Sequence, residues 1–158
     1  MNAIRTILVP TDLSEKTPEL LRLAGTIARD RGARLVLLHV TPKPPLPEAP
    51  VSPVAREQVK HAEEDWSADQ WETAERLRSL RPAGDGVPVE HLLKQGNRAD
   101  VILHTASELG CDLIVMETHS KSEEERRLFG SVVTEVLRHA PCPVFMLNFA
   151  SGEARSSA

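Results

Sequence analysis

Apolar residues along this chain follow two rhythms that alternate from one end to the other. Ile4 to Val9, Leu35 to Val40 and Leu113 to Met116 are short runs rich in Ile, Leu and Val, with the length and branched content of strands buried on both faces. After Thr17-Pro18-Glu19, an N-cap followed by a proline at the first helical position, Leu20, Leu23, Ala24, Ile27 and Ala28 recur at helical spacing until Gly32. A charged stretch from Val54 to Leu80 predicts a long second helix with a sparse inward stripe of Val59, Ala62, Trp66, Thr73, Leu77 and Leu80, and with Trp71 off that stripe. Val87 to Leu93 alternates as a strand, and Gly96-Asn97 leads into a helix carrying Ala99, Ile102, Leu103, Ala106 and Leu109 that ends at Gly110. Gly130 to His139 reads as a fourth helix opened by Gly-Ser, and Cys142 to Leu147 as a last strand entered through Pro141 and Pro143. The proline-rich piece from Thr41 to Pro53 reads as a surface loop, and the tail from Ser151 as disordered.

Strand and helix alternating throughout call for a parallel sheet covered on both faces by right-handed crossovers. The expected fold is a single three-layer α/β/α domain over residues 1–148, with a five-stranded parallel sheet of the Rossmann-like or flavodoxin-like kind and a flexible tail at 149–158. Ligands of such sheets bind beyond the carboxyl ends of the strands where the strand order reverses, so the loops after the first and fourth strands should face each other. Those loops hold Asp12 and the stretch from Glu117 to Ser131. The last strand, apolar and at an edge, invites a second chain.

Composition narrows the classes. The length of 158 residues suits one domain, and the net charge of −4 with 3% aromatic residues and no tyrosine argues against nucleic acid as a ligand. Two cysteines, outside any CxxC pair, give no disulfide framework and fit a reducing cytoplasm. No apolar run approaches the roughly 20 residues that span a bilayer, and the start of the chain lacks the h-region of a signal peptide, so neither membrane nor export is expected.

The candidate chemistry lies in the second half of the chain. Asp112-Leu-Ile-Val-Met-Glu-Thr-His-Ser120 and then Gly130-Ser131 read as strand, loop and helix start, the layout of a phosphate-binding corner with free N–H groups and a positive dipole end. Gly130 and Ser131 suit an anion or a simple helix cap; Asp12 suits a ligand contact or a turn. His119 has no nucleophile or carboxylate placed to orient it, and Cys142 reads as a small packed apolar residue.

Ile-Leu-Val-Pro-Thr-Asp12 at the start, Met116, Thr118-His119, Gly130-Ser131-Val132 and Leu-Arg-His-Ala-Pro-Cys-Pro-Val144 together resemble the universal stress protein family, over residues 1 to 148. The resemblance implies an adenine nucleotide alpha hydrolase-like fold and a homodimer through Cys142 to Leu147. It also implies a nucleotide site drawn from Pro10, Thr11, Asp12, Val40, Met116, Thr118, His119, Gly130, Ser131 and Val132, taking ATP or AMP with Mg. In ATP-binding members the loop follows G-x2-G-x9-G-[S/T]; here the spacing is intact, but Glu117 and Ser120 stand at the first two glycines and only Gly130 with Ser131 are retained. Three readings follow: a cytoplasmic dimeric stress-response binding or signalling module with a degenerate nucleotide loop and no efficient chemistry, an ATP-binding switch with slow hydrolysis, or a corner that keeps a small anion or nucleotide monophosphate without ATP.

Overall fold

The computed structural model describes residues 3–44, 52–118 and 123–148, with 123–129 as backbone only. Among these residues the chain runs β1 (Thr6–Pro10), α1 (Thr17–Arg31), β2 (Arg34–Thr41), α2 (Pro53–Ser79), β3 (Val89–Gln95), α3 (Arg98–Glu108), β4 (Leu113–Thr118), α4 (Glu123–His139) and β5 (Val144–Asn148). The sheet order is β3-β2-β1-β4-β5 and every pairing is parallel, as the alternation predicts.

Two cores sit on opposite faces of the sheet. Ile7, Val9, Leu35, Leu37 and Val115 meet Leu20, Leu21, Ala24 and Ala28 of α1 and Leu77 of α2. Leu8, Val36, Leu38, Ile114 and Met116 meet Ile102 and Ala106 of α3 and Val136 of α4. The period-two alternation of each strand thus feeds both layers, which is why Ile7–Val9 and Leu35–Leu38 are apolar at every position.

The helix ends follow local chemistry. Ser52 and Asn97 cap α2 and α3 through side-chain oxygens that accept from Ala55 N–H and Asp100 N–H, each at 3.1 Å. Gly32 closes α1 in the left-handed region at φ 66°. Thr17, expected as the cap of α1, is instead its first residue; Lys16 holds the cap position and makes no side-chain bond there.

Three expectations are corrected. Strand β4 continues through Glu117 and Thr118, paired with Leu147 and Asn148, because the ladder with β5 carries on past the point where the apolar run stops. Helix α4 begins at Glu123, so Gly130 and Ser131 lie within its body and do not open it. The residues before them, rich in Glu and Arg, are good helix formers, and Gly130 does not take the positive φ that would mark a break. Of the stripe predicted along α2, Leu77 alone is buried and Ala62 is exposed. At 27 residues the helix is about 40 Å long, whereas the strands it crosses span about 25 Å, so only its carboxyl end lies over the sheet. The expected disorder of the tail and most of the proline-rich loop fall outside the described residues.

Gly25 stands mid-helix in α1, where glycine costs stability, because the chain after α2 crosses it closely. A Cβ there would meet Pro82 Cβ at 2.6 Å. A Gly25→Ala change, normally favourable in a helix, is therefore expected to destabilise the protein by about 1–3 kcal/mol in urea unfolding, since a proline ring in a packed contact has little room to yield.

Candidate functional site

The strand order reverses between β1 and β4, leaving a crevice beyond their carboxyl ends. Its first wall is the turn after β1. Thr11 is buried, its N–H donating to the Leu38 carbonyl at 2.9 Å and its hydroxyl lying 2.9 Å from that of Thr17. Asp12 Oδ1 accepts from Ser14 N–H at 2.9 Å, an Asx turn. Between them Leu13 sits at φ 60°, a left-handed conformation that costs a branched residue about 1–2 kcal/mol. Surrounding bonds hold it there: Leu13 N–H donates to Thr11 Oγ1, and its carbonyl accepts from Arg76 of α2, each at 3.0 Å. The strain belongs to a tightly determined turn.

His39, near the end of β2, adds a further tie. Its Nδ1 lies 2.7 Å from the Thr11 carbonyl, and because a carbonyl only accepts, Nδ1 carries the proton.

The second wall is Glu117 of β4. On the alternation of that strand it shares a face with Leu113 and Val115, which directs it toward α1 and the turn after β1. It is 7% exposed. Ser14 Oγ donates to Glu117 Oε1 at 3.4 Å. Burial, then the charge of Asp12, then a hydrogen bond with Asp12, push the Glu117 carboxyl from 4.5 up to about 7; Ser14 and Lys16 act in the opposite sense. The two carboxyl groups thus favour holding one proton between them near neutral pH.

The structure divides the other predicted residues. Val40 and Met116 are buried in the core on the α3/α4 face, and Val132 packs against the same cluster. These three residues, from three elements, belong to one apolar cluster. Pro10 ends β1 in register with Leu38. Thr118 donates its hydroxyl to the Leu147 carbonyl at 3.2 Å, which commits it to β5. Gly130 and Ser131 lie one turn or more inside α4, so their amides belong to the helix ladder and not to an open amino terminus. His119 lies outside the described residues. Reading the sequence missed His39 and Arg76 as supports of the turn. The position of His39 beside Val40 at a strand end was the available signal for the first; nothing local marked the second.

Glu117 links the crevice to stability. Its folded-state value lies above the unfolded one, so the folded protein holds the extra proton and this contribution is full below about pH 4.5 and lost as pH rises through about 7. Between about pH 6 and pH 8 the loss is expected to be about 1 kcal/mol, seen as a fall of a few degrees in the thermal midpoint. Glu117→Gln should remove that slope and leave the protein more stable at the alkaline end. An unchanged slope in the variant would place the titration elsewhere.

Comparison with known proteins agrees with this architecture. The family model described as "Universal stress protein family" matches residues 3–148. A universal stress protein of Thermus aquaticus is 33% identical over 144 residues, covering 90% of this chain and 98% of the relative. Among solved structures, a universal stress protein in complex with cAMP aligns with a TM-score of 0.59 at 22% identity, covering 92% of this chain and 98% of the other. The universal stress protein from Archaeoglobus fulgidus in complex with dAMP aligns at 0.53 and 24%, covering 92% and 98%. At those identities the structural likeness is one of fold, whereas the family match runs through nearly the whole chain. The chain belongs to the universal stress protein family.

Proposed function

We propose that this protein is a cytoplasmic, dimeric stress-response binding module that takes an adenine mononucleotide in the β1/β4 crevice in preference to ATP and performs no efficient chemistry on it. The observation that carries this reading is Glu117, buried beside Asp12 where the family loop has its first glycine. A carboxylate there repels phosphate. Two unit like charges about 4 Å apart at an effective dielectric of about 20 repel by about 4 kcal/mol, and each added phosphate raises the cost. Helix α4 adds to this, since its residues before Gly130 already occupy the amides that an ATP-binding corner would leave open. The apolar group of Val40, Met116 and Val132 suits the flat face of a base, and structural neighbours are complexes with cAMP and dAMP.

Magnesium fits this crevice poorly on protein ligands alone. Among the described residues no group of three His, Cys, Asp or Glu side chains is placed to hold a metal ion, so a bound Mg would depend on oxygens of the nucleotide phosphate.

The dimer contact we assign to β5. It is the edge strand beside β4, and Phe145, 45% exposed, shares its alternation with Leu147 on the face that α1 covers over β1, β2 and β4. Among the described residues Phe145 is exposed on that face, where two copies would pair antiparallel about a two-fold axis.

Titration calorimetry at physiological salt, with nucleotide-free protein, tests the ligand. AMP or cAMP should bind at least about tenfold more tightly than ATP with Mg, and Glu117→Gly with Ser120→Gly should raise ATP affinity by about tenfold or more. Equal or tighter ATP binding by the natural chain would sink this reading. For the assembly, sedimentation should show a dimer that Phe145→Lys converts to monomer without loss of the circular-dichroism spectrum; a variant that stays dimeric would move the interface away from β5.

A further inference from the structure

The two cysteines, far apart in sequence, meet at the foot of the sheet. Strands β4 and β5 pair with Ile114 opposite Val144, and Ile114 N–H donates to the Pro143 carbonyl at 3.0 Å, which carries the pairing back to the entry of both strands. Continued two residues toward the foot, that register sets Cys142 opposite Asp112 and Cys111 one residue away. Strand spacing and one residue of rise give a Cα separation of about 6 Å, inside the span of about 4.4–6.8 Å that a disulfide bridges.

Direction agrees with distance. Cys142 packs on the α3/α4 face along with Val144 and Met146 of its own strand. Cys111 precedes β4 and so escapes that strand's alternation; its N–H donates to the Ala106 carbonyl at 2.9 Å, and its side chain is buried in the same core. Both thiols therefore enter one cluster from neighbouring chain segments.

We propose that Cys111 and Cys142 form a redox pair that closes to an intramolecular disulfide when low-molecular-weight disulfides accumulate, stitching the exit of α3 to the entry of β5. Cys142 is the half-buried member and Cys111 the buried one, which sets the order of events. The Cys142 thiolate attacks a glutathione disulfide, forming a mixed disulfide and releasing one glutathione thiol. The Cys111 thiolate then attacks the Cys142 sulfur and releases the second glutathione. Two protein thiols are oxidised, one glutathione disulfide is reduced to two thiols, and the two protein protons leave with the glutathione products. Burial raises both thiols, Cys111 to about 11 with Cys142 among the contributing neighbours, so the thiolate fraction is small and the exchange is slow. The pair therefore closes slowly and responds to sustained more than to brief oxidation.

The experiment equilibrates the full-length chain in glutathione redox buffers, traps remaining thiols with N-ethylmaleimide in acid, and reads intact mass and a peptide map. The same equilibration in urea gives the unfolded reference. The expected product is a monomer lacking both free thiols and carrying a Cys111–Cys142 bridge, with an equilibrium constant for closure at least about tenfold greater in the native state than in urea. By linkage the oxidised protein should also unfold at a higher temperature. A stable mixed disulfide on Cys142 without closure, a covalent dimer through Cys142, or a native constant at or below that of the unfolded chain would each overturn the proposal. Cys111→Ser, checked for native circular dichroism, should stop the natural exchange at the mixed disulfide; because the wild-type comparison decides the question without it, a failure of this variant to fold does not rescue the proposal.

Discussion

Strand β1 is the constraint from which the carboxyl edge of the sheet takes its form. It is hydrogen-bonded to β2 on one side and β4 on the other, and Ile7, Leu8 and Val9 are fully buried between the two helix layers. Its enclosed stretch is apolar from Ile7 to Val9, and the next polar residues come only after it leaves the sheet. Those residues, Thr11 and Asp12, then stand over the junction where chain direction through the sheet reverses. Moving β1 by one residue would turn its whole side-chain set over and unmake both cores, which leaves the position of Asp12 little freedom. Glu117 reaches the same junction from β4 for the same reason.

The fold was legible because its signals are redundant. Continuous apolar runs, capping residues and glycines at helix ends agree with one another, and Gly32 and Asn97 sit where their chemistry places them. The site was only half legible. Val40, Met116 and Val132 share one apolar cluster, because apolar residues on fixed elements inherit their positions from the fold. The phosphate corner was misread because a Gly-Ser pair is compatible with both a helix start and a helix body, and the choice depends on the charged residues before it. Arg76 could not be found at all: its bond to the Leu13 carbonyl joins elements far apart in sequence. The left-handed Leu13 is likewise a product of tertiary ties, since no local preference of leucine favours it.

A buried glutamate beside the exposed Asp12 gives this corner a different filling from a glycine loop. Glycines at such a corner leave the backbone free to approach phosphate, with the ligand filling the space. Here the Glu117 side chain fills it, and Ser14, Lys16 and Asp12 set its protonation from the facing turn. Stability and anion binding then depend on the same charge at one residue. Lowering the carboxylate charge favours the folded protein and reduces repulsion of phosphate alike, so a neutral side chain at 117 serves both, while an ionised one serves neither.

Strand β4 connects this crevice with the opposite edge of the sheet. At its foot, Asp112 Oδ2 accepts from the N–H groups of Arg5 and Thr6 at 2.9 and 3.0 Å, and Asp112 N–H donates to the Thr6 carbonyl at 2.9 Å. At its head, the Thr118 hydroxyl is tied to β5. The strand is thus clamped to β1 below and to β5 above, and the ladder between makes it the stiffest path across this half of the sheet. Among the described residues strand β5 has no partner on its outer side, so its order depends on β4 and on whatever covers its edge. A bond at the foot of β5 and a second chain along its edge would act on the same weakness, the first by shortening the segment free to fray and the second by supplying the missing ladder. Either would leave the carboxyl crevice intact, because Asp12 and Glu117 are positioned by β1 and β4, whose pairing does not require β5 to be covered.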